Sequence, residues 1–252
     1  GPGDNFRGMA SATGSAGTIA SGDYLKGQFP HSVICASEAL QCPTLLNNGF
    51  GAPRIEGIGY KHVPWVHNVK NTDMVVAIDD NATIGIMRLF NEEIGKDFLA
   101  EQGVSAGIIE QLPLLGISGI GNVLSAVKMA KYYEMGSNDV LMTIATDSME
   151  MYGSRVEEER EAHGPLTMLD AAGIYHRYLL GETTNNLIEL TYAERKRIHN
   201  LKYYTWVEQQ GKTSEELTAQ WYDPTYWTSL HGMDRQIDKL TEQFNERVGL
   251  LG

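Results

Sequence analysis

The 252-residue sequence holds only two cysteines, Cys35 and Cys42, too few for the disulfide framework that staples small secreted domains. Both are expected to be buried packing thiols, since Cys35 lies in the apolar run Val33-Ile34-Cys35-Ala36 and free cysteine behaves as a small hydrophobe. Positive charge is also scarce: 20 Lys and Arg stand against 32 Asp and Glu, a net charge of −12. A surface of that sign repels phosphate backbones and anionic lipid, which argues against nucleic-acid and membrane partners. No apolar run approaches the ~18 residues of a spanning helix, and no signal peptide opens the chain, so a cytoplasmic protein is expected. Internal repeats and low-complexity stretches are missing as well.

What is present fits a folded α/β chain. Hydrophobic residues make up 42% of the sequence, enough to bury a sizeable core. Its 27 glycines follow no fibrous period and cluster at Gly14 to Gly17 and Gly116 to Gly121, where strand-to-helix turns are expected. Phe6 to Thr13 reads as a buried strand, Thr18 to Phe29 as a helix and Ser32 to Ser37 as the next strand, one parallel βαβ unit. Met74 to Ile78 and Val140 to Ala145 read as further strands, and Asn81 to Gln102 as a helix. Asn122 to Met135 predicts an amphipathic helix with Val123, Val127, Ala130 and Met135 inward. Asn47 to Pro64 reads as a long loop interrupted by Gly49, Gly51, Gly57 and Gly59, and such loops are often functional. Beyond Glu182 the texture turns to charged, aromatic-rich helices with capping-box spacing at Thr191/Glu194 and Thr213/Glu216.

The turn Gly14-Ser15-Ala16-Gly17-Thr18 follows a strand and opens a helix, so its backbone N–H groups can converge on an anion with help from the helix dipole. It lacks the P-loop lysine and the three-glycine dinucleotide spacing, which demotes an ATPase and an ordinary NAD domain. His62 and His67 lie close in sequence without a well-placed third ligand, and no metal is expected. Asp147 is assigned to turn capping and Glu157-Glu158-Glu159 to a solvated helix face.

Several motifs share one family pattern in one order. Phe6 to Lys26, FRGMASATGSAGTIASGDYLK, resembles the strand, phosphate loop and helix of fold-type II pyridoxal-phosphate enzymes of the cysteine synthase group, whose loop reads GTGGT. Ala36-Ser37-Glu38 stands where that family leaves its next strand, and Arg54 to Gly59 resembles its H-K-I-Q-G-I-G loop. Leu115 to Gly119 resembles its V-G-I-S-S-G helix opening, and Thr146 to Tyr152 its P-D-S-G-E-R-Y. The loop here reads GSAGT, and Met149 replaces a glycine.

The resemblance implies a three-layer α/β sandwich with a mostly parallel sheet over 1–182, followed by a helical C-terminal extension over 183–252. It implies pyridoxal 5'-phosphate as cofactor, its phosphate cradled by Gly14, Ser15, Ala16, Gly17 and Thr18, its ring nitrogen faced by Ser148. Gly57 and Gly59 would line the substrate side, and the activity would be lyase or β-replacement (transferase) chemistry on a small amino acid. No catalytic residue is assigned, because Lys26, Lys61, Lys70, Lys96, Lys128 and Lys131 match no motif of the lysine that bonds the cofactor. That lysine is expected outside this chain, in a missing N-terminal half or partner subunit, leaving a fragment or subunit that is silent alone and forms homo-oligomers. Two other classes stay open: a non-catalytic cofactor-binding or regulatory module, and a nucleotide-binding α/β domain.

Overall fold

A computed structural model describes residues 3–14 and 17–250, with Thr18 and Ile19 described by their backbone alone. Its central sheet is five-stranded in the order β4-β1-β2-β3-β5, where β1 is Asn5–Ala12, β2 Val33–Ala39, β3 Met74–Ile78, β4 Asp139–Met142 and β5 Leu187–Glu189. The first four strands are mutually parallel and β5 closes one edge antiparallel to β3. The fold class is therefore α/β with a mostly parallel sheet, and β1, α1 (Gly17–Gln28) and β2 form the expected βαβ unit.

Residue parity along β2 assigns its two faces. Gly22 of α1 packs so tightly on Ile34 that an added Cβ would lie 2.8 Å from that side chain, and Ala36 on the same face joins a core with Leu45, Tyr60, Val69 and Ile198. Cys35 and Ala39 face the other way, into the larger core with Met87, Ile117, Ile120 and Leu124. That second face is covered by α2 (Asp80–Asn91) and α4 (Ile117–Tyr132), with α3 (Glu93–Glu101) following α2. Strands β2 and β3 lie to one side of β1 and β4 to the other, so right-handed crossovers place the two connections on opposite faces. The order reverses between β1 and β4, and crevices at such switch points are where open α/β sheets bind ligands.

Two features correct the sequence reading. Asn81 to Gln102 is not one helix but two, because the Glu92 carboxylate accepts from Arg88 Nε at 2.5 Å and from the Leu166 N–H at 3.1 Å. Gly95 then abuts the end of α2, where a Cβ would lie 2.2 Å from the Leu89 carbonyl oxygen. Helix α4 buries Ile117, Ile120, Gly121, Leu124, Ser125 and Lys128, while Val123, Val127 and Ala130 are only half-buried. Small and polar residues face the sheet here because the helix hydrogen-bonds to it: Ser125 Oγ lies 2.6 Å from Ser37 Oγ.

The chain divides into two compact units, 1–201 and 202–252, so the expected boundary at 182 falls within the first. Residues 183–201 join that unit through β5 and through α7 (Tyr192–Lys202), whose Arg195 donates to Asp73 Oδ1 at 2.8 Å and to the Thr72 carbonyl at 2.7 Å. Between α4 and α7 lie α5 (Gly153–His163) and α6 (Met168–Ile174). The second unit holds α8 (Ser214–Tyr222), α9 (Tyr226–His231) and α10 (Asp234–Arg247), and the Thr213/Glu216 capping box is complete at the start of α8. Within it the fully buried Lys202 donates to Gln220 Oε1 at 2.8 Å and lies 5.5 Å from the centre of the Trp227 ring. Among the described residues no single helix is long and apolar enough to cross a membrane.

At the switch point one side chain splints the sheet. Asn122, fully buried on α4, accepts the Ala12 N–H at 2.6 Å and donates to the Ile144 carbonyl at 2.7 Å. Asn122→Ala should remove both of these hydrogen bonds and cost about 2–3 kcal/mol, read as a lowered urea midpoint with an unchanged slope. A loss below ~0.5 kcal/mol would show that the strand ends are held by other means.

Candidate functional site

The elements that leave the switch point carry the predicted site residues. Past Ala12, Thr13 extends the β1–β2 pairing by donating its N–H and its hydroxyl to the Ser37 carbonyl at 2.9 and 3.0 Å. Gly14 follows and Gly17 opens α1, a 12-residue helix with no acidic residue in its first turn. Ser15 and Ala16 lie outside the described residues, as does the Thr18 side chain. An added Cβ at Gly17 would meet nothing within 4 Å, so the helix start faces open space. Its φ is not positive, so the glycine is there for access and not for a left-handed backbone.

The 54–60 loop, expected as an open glycine-interrupted stretch, is nailed down on every side. Gly59 donates its N–H to the Thr13 carbonyl at 2.5 Å, and a Cβ on Gly14 would come within 3.2 Å of the Gly57 carbonyl oxygen. Gly57 and Gly59 have φ of 73° and 83°, left-handed values that favour glycine. Asp80 accepts the Arg54 N–H at 2.6 Å, and burial raises this carboxyl above its ordinary range. Arg155 Nε on α5 donates to Glu56 at 2.8 Å, and the Arg54 guanidinium pairs with Glu159. Glu159 is thus a buried partner and not part of a solvated face.

Gly14, Gly57 and Gly59 consequently line one cleft of about 590 Å³ with Ile55, Tyr60 and Lys61. The structure thus brings Gly14, the start of the turn expected to hold a phosphate, against the loop expected to line the substrate side. Lys61 had no sequence signal; it sits on the exposed rim with its ammonium 5.7 Å from the centre of the Phe50 ring. Ser148 is not among the residues lining that cleft. It sits on the chain continuing from β4, where Thr143 Oγ1 donates to the Ala10 carbonyl at 2.7 Å and Ser118 Oγ meets Thr146 Oγ1 at 2.5 Å. Among the described residues the Ser148 hydroxyl makes no hydrogen bond, although it is half-buried amid used polar groups. Elsewhere His67 is buried with its Nε2 2.8 Å from Thr72 Oγ1, a packing role beside the Tyr60 ring. Cys35 and Cys42 are both buried, and burial pushes the Cys35 thiol up, so it stays protonated.

No family model matches the sequence. Solved structures are similar to it at low identity. A hydrogen sulfide-producing enzyme from Fusobacterium nucleatum is 21% identical, with a TM-score of 0.49 over 74% of this chain and 48% of that one. Cysteine synthase from Entamoeba histolytica is 16% identical, with a TM-score of 0.49 over 69% of this chain and 45% of that one. O-ureido-L-serine synthase is 20% identical, with a TM-score of 0.44 over 60% and 42%. The second bears the name of the group that the motifs of Phe6 to Tyr152 resemble. The chain spans a little under half the length of the structures it matches, and likenesses this distant concern the course of the backbone, not its chemistry.

Beneath the Gly57–Gly59 loop lies a fully buried acid. Glu38 receives the N–H groups of Leu45 and Leu46 at 2.9 and 2.8 Å, yet burial outweighs them and Arg197 and raises its carboxyl from 4.5 to about 7. The folded chain therefore holds a proton that the unfolded chain releases above pH 4.5, so this contribution to stability is complete below 4.5 and is lost as pH rises through 7. Glu38→Gln removes the titration. The stability difference between wild type and this variant should shift by about 3 kcal/mol, against wild type, between pH 4.5 and pH 8. A difference that stays flat in urea titrations would return Glu38 to an ordinary carboxylate.

Proposed function

We propose that this chain binds the phosphate and ring nitrogen of pyridoxal 5'-phosphate in an enzyme that acts on a small amino acid by lyase or β-replacement chemistry. One observation carries the reading. A glycine beside open space, Gly17, at the start of an acid-free helix and a serine hydroxyl with no hydrogen bond among the described residues follow adjacent parallel strands, β1 and β4, at the point where strand order reverses. The residues fit the cofactor at both ends: backbone N–H groups and a helix dipole suit a dianionic phosphate, and a free hydroxyl suits a pyridine nitrogen.

When bound, pyridoxal phosphate supplies an electron sink for bonds broken at the amino acid's α-carbon. The chain's own part is to hold and orient. Turn 14–18 receives the phosphate through its N–H groups, with no acidic residue in the first turn of α1 to oppose the charge. Ser148 Oγ donates to a neutral ring nitrogen, where a carboxylate would instead favour a protonated ring. Gly57 and Gly59, without side chains, let the loop backbone approach the amino-acid end of the cleft. We take the lysine that bonds the cofactor to come from another segment or subunit; within this chain Lys26 is paired with Asp73 at 2.7 Å, and Lys128 with Glu182 at 2.7 Å and Asn185. In this reading the chain works with another segment or subunit, and small amino acids such as serine derivatives yield no product from the chain alone.

Equilibrium dialysis of the purified chain against pyridoxal 5'-phosphate tests the reading. Gly17→Asp, which sets a carboxylate at the open helix start, should weaken binding at least tenfold while the chain stays folded by circular dichroism. Ser148→Ala should retain binding and lose only ~0.5–1.5 kcal/mol, about two- to thirteen-fold. Saturable binding of NAD or ATP with none of pyridoxal phosphate would overturn the reading in favour of a nucleotide-binding domain. Full binding by a folded Gly17→Asp chain would remove the phosphate from this turn.

A further inference from the structure

Ser148 is fixed by residues that make no use of its hydroxyl. The preceding residue, Asp147, is gripped at three points: its carbonyl accepts the Gly116 N–H at 2.9 Å, Oδ1 accepts Thr146 Oγ1 at 3.1 Å, and Oδ2 accepts the Tyr152 hydroxyl at 2.5 Å. Gly116 is required by space and not by dihedral angle. Its φ is −71°, but a Cβ there would lie 2.2 Å from Asp147 Oδ1. On the other side of Ser148, Met149 is buried in the larger core and begins the single turn Met149–Met151 that returns the chain to Tyr152, whose N–H donates to the Met149 carbonyl at 2.9 Å.

Turn capping does not account for Asp147. Its carboxylate oxygens go to two side-chain hydroxyls, and the turn that follows has no side-chain cap. Closing the six-residue span from Asp147 to Tyr152 restrains the backbone on both sides of Ser148 before any ligand arrives. A donor held in this way loses little conformational freedom on binding, which is how a rigid supporting shell raises affinity and precision.

We infer that Asp147, clamped between Gly116 and the Tyr152 hydroxyl, is the positioning residue that aims the Ser148 hydroxyl at the ring nitrogen of the cofactor. The inference rests on the pyridoxal-phosphate reading and assigns roles to Gly116, Asp147 and Tyr152 that the turn and strand geometry alone do not. Tyr152 acts through Asp147 and Ser148 and touches no reacting atom.

A double-variant cycle on the 252-residue chain tests it, with the dissociation constant for pyridoxal 5'-phosphate and the emission maximum of the bound cofactor as readouts. Tyr152→Phe should weaken binding about as much as Ser148→Ala, two- to thirteen-fold, and displace the emission maximum in the same direction. Because both act through one hydrogen bond, Tyr152→Phe combined with Ser148→Ala should bind no more weakly than Ser148→Ala alone. Asp147→Asn, which keeps an acceptor for Tyr152, should stay closer to wild type than Asp147→Ala, and serves in place of Tyr152→Phe if that variant does not fold. Wild-type binding with multiplicative losses in the double variant, or an unmoved emission maximum in Tyr152→Phe, would overturn the positioning role alone. Failure of the wild-type chain to bind pyridoxal phosphate would overturn the reading and the inference with it.

Discussion

The two hydrogen bonds of Asn122 set the geometry on which the site depends. A parallel sheet in the order β4-β1-β2-β3-β5 has a gap in its chain connectivity between β4 and β1, and the β1–β4 ladder ends at Met9 and Met142. Beyond that rung side chains join the two chains, Thr143 Oγ1 donating to the Ala10 carbonyl. Asn122 takes one backbone group from each, the Ala12 N–H and the Ile144 carbonyl, and so lets the strand ends diverge at a fixed spacing. The side-chain amide suits this post because it carries a donor and an acceptor on one planar group. The glycine turn and Ser148 inherit their positions from that splint.

The shortage of basic residues has a structural counterpart. Of a limited set of arginines, Arg54 and Arg155 tie the 54–60 loop to α5, Arg88 ties off α2 through Glu92, and Arg195 joins α7 to the start of β3. Guanidinium suits these posts because its planar fork reaches carboxylates and backbone carbonyls together, as Arg88 does with Glu92 and Gly164 and Arg195 with Asp73 and Thr72. Partly exposed pairs of this kind contribute modestly to stability. Arg54 and Arg155 select one arrangement of a glycine-rich loop that backbone propensity alone leaves free.

Local chemistry made the first βαβ unit and β3 legible: apolar strands with glycine punctuation were found within a residue or so of where they fall, and Met74–Ile78 coincides with β3. The 57–59 loop was legible because Gly57 and Gly59 take positive φ. What escaped was set by contacts distant in sequence. The break at Glu92 depends on Leu166, 74 residues on. The inward face of α4 mixes Ile117, Ile120 and Leu124 with glycine, serine and asparagine, which hydrophobic periodicity scores as outward, because the helix bonds to the sheet as well as packing apolar chains on it. The restraint of the 54–60 loop depends on Arg155, 99 residues from Glu56.

The two ends of the proposed cofactor site are built on different principles, and this bears on how their sequences can vary. In the proposed site the phosphate would be held by backbone N–H groups, so the wording of the turn would matter only insofar as side chains stay small and uncharged, a demand that GSAGT meets as well as GTGGT does. At the ring end the donor is a side chain whose aim depends on Gly116, Thr146, Asp147 and Tyr152 together. A change in any one of them shifts the others, since the carboxylate fills the space a Cβ on Gly116 would need. Met149 in place of a glycine is compatible with this rack because its side chain points into the core and supports the turn from beneath. The ring end is therefore the more demanding of the two, and its tolerance to substitution is limited by packing and hydrogen bonding in the apo chain as much as by the cofactor.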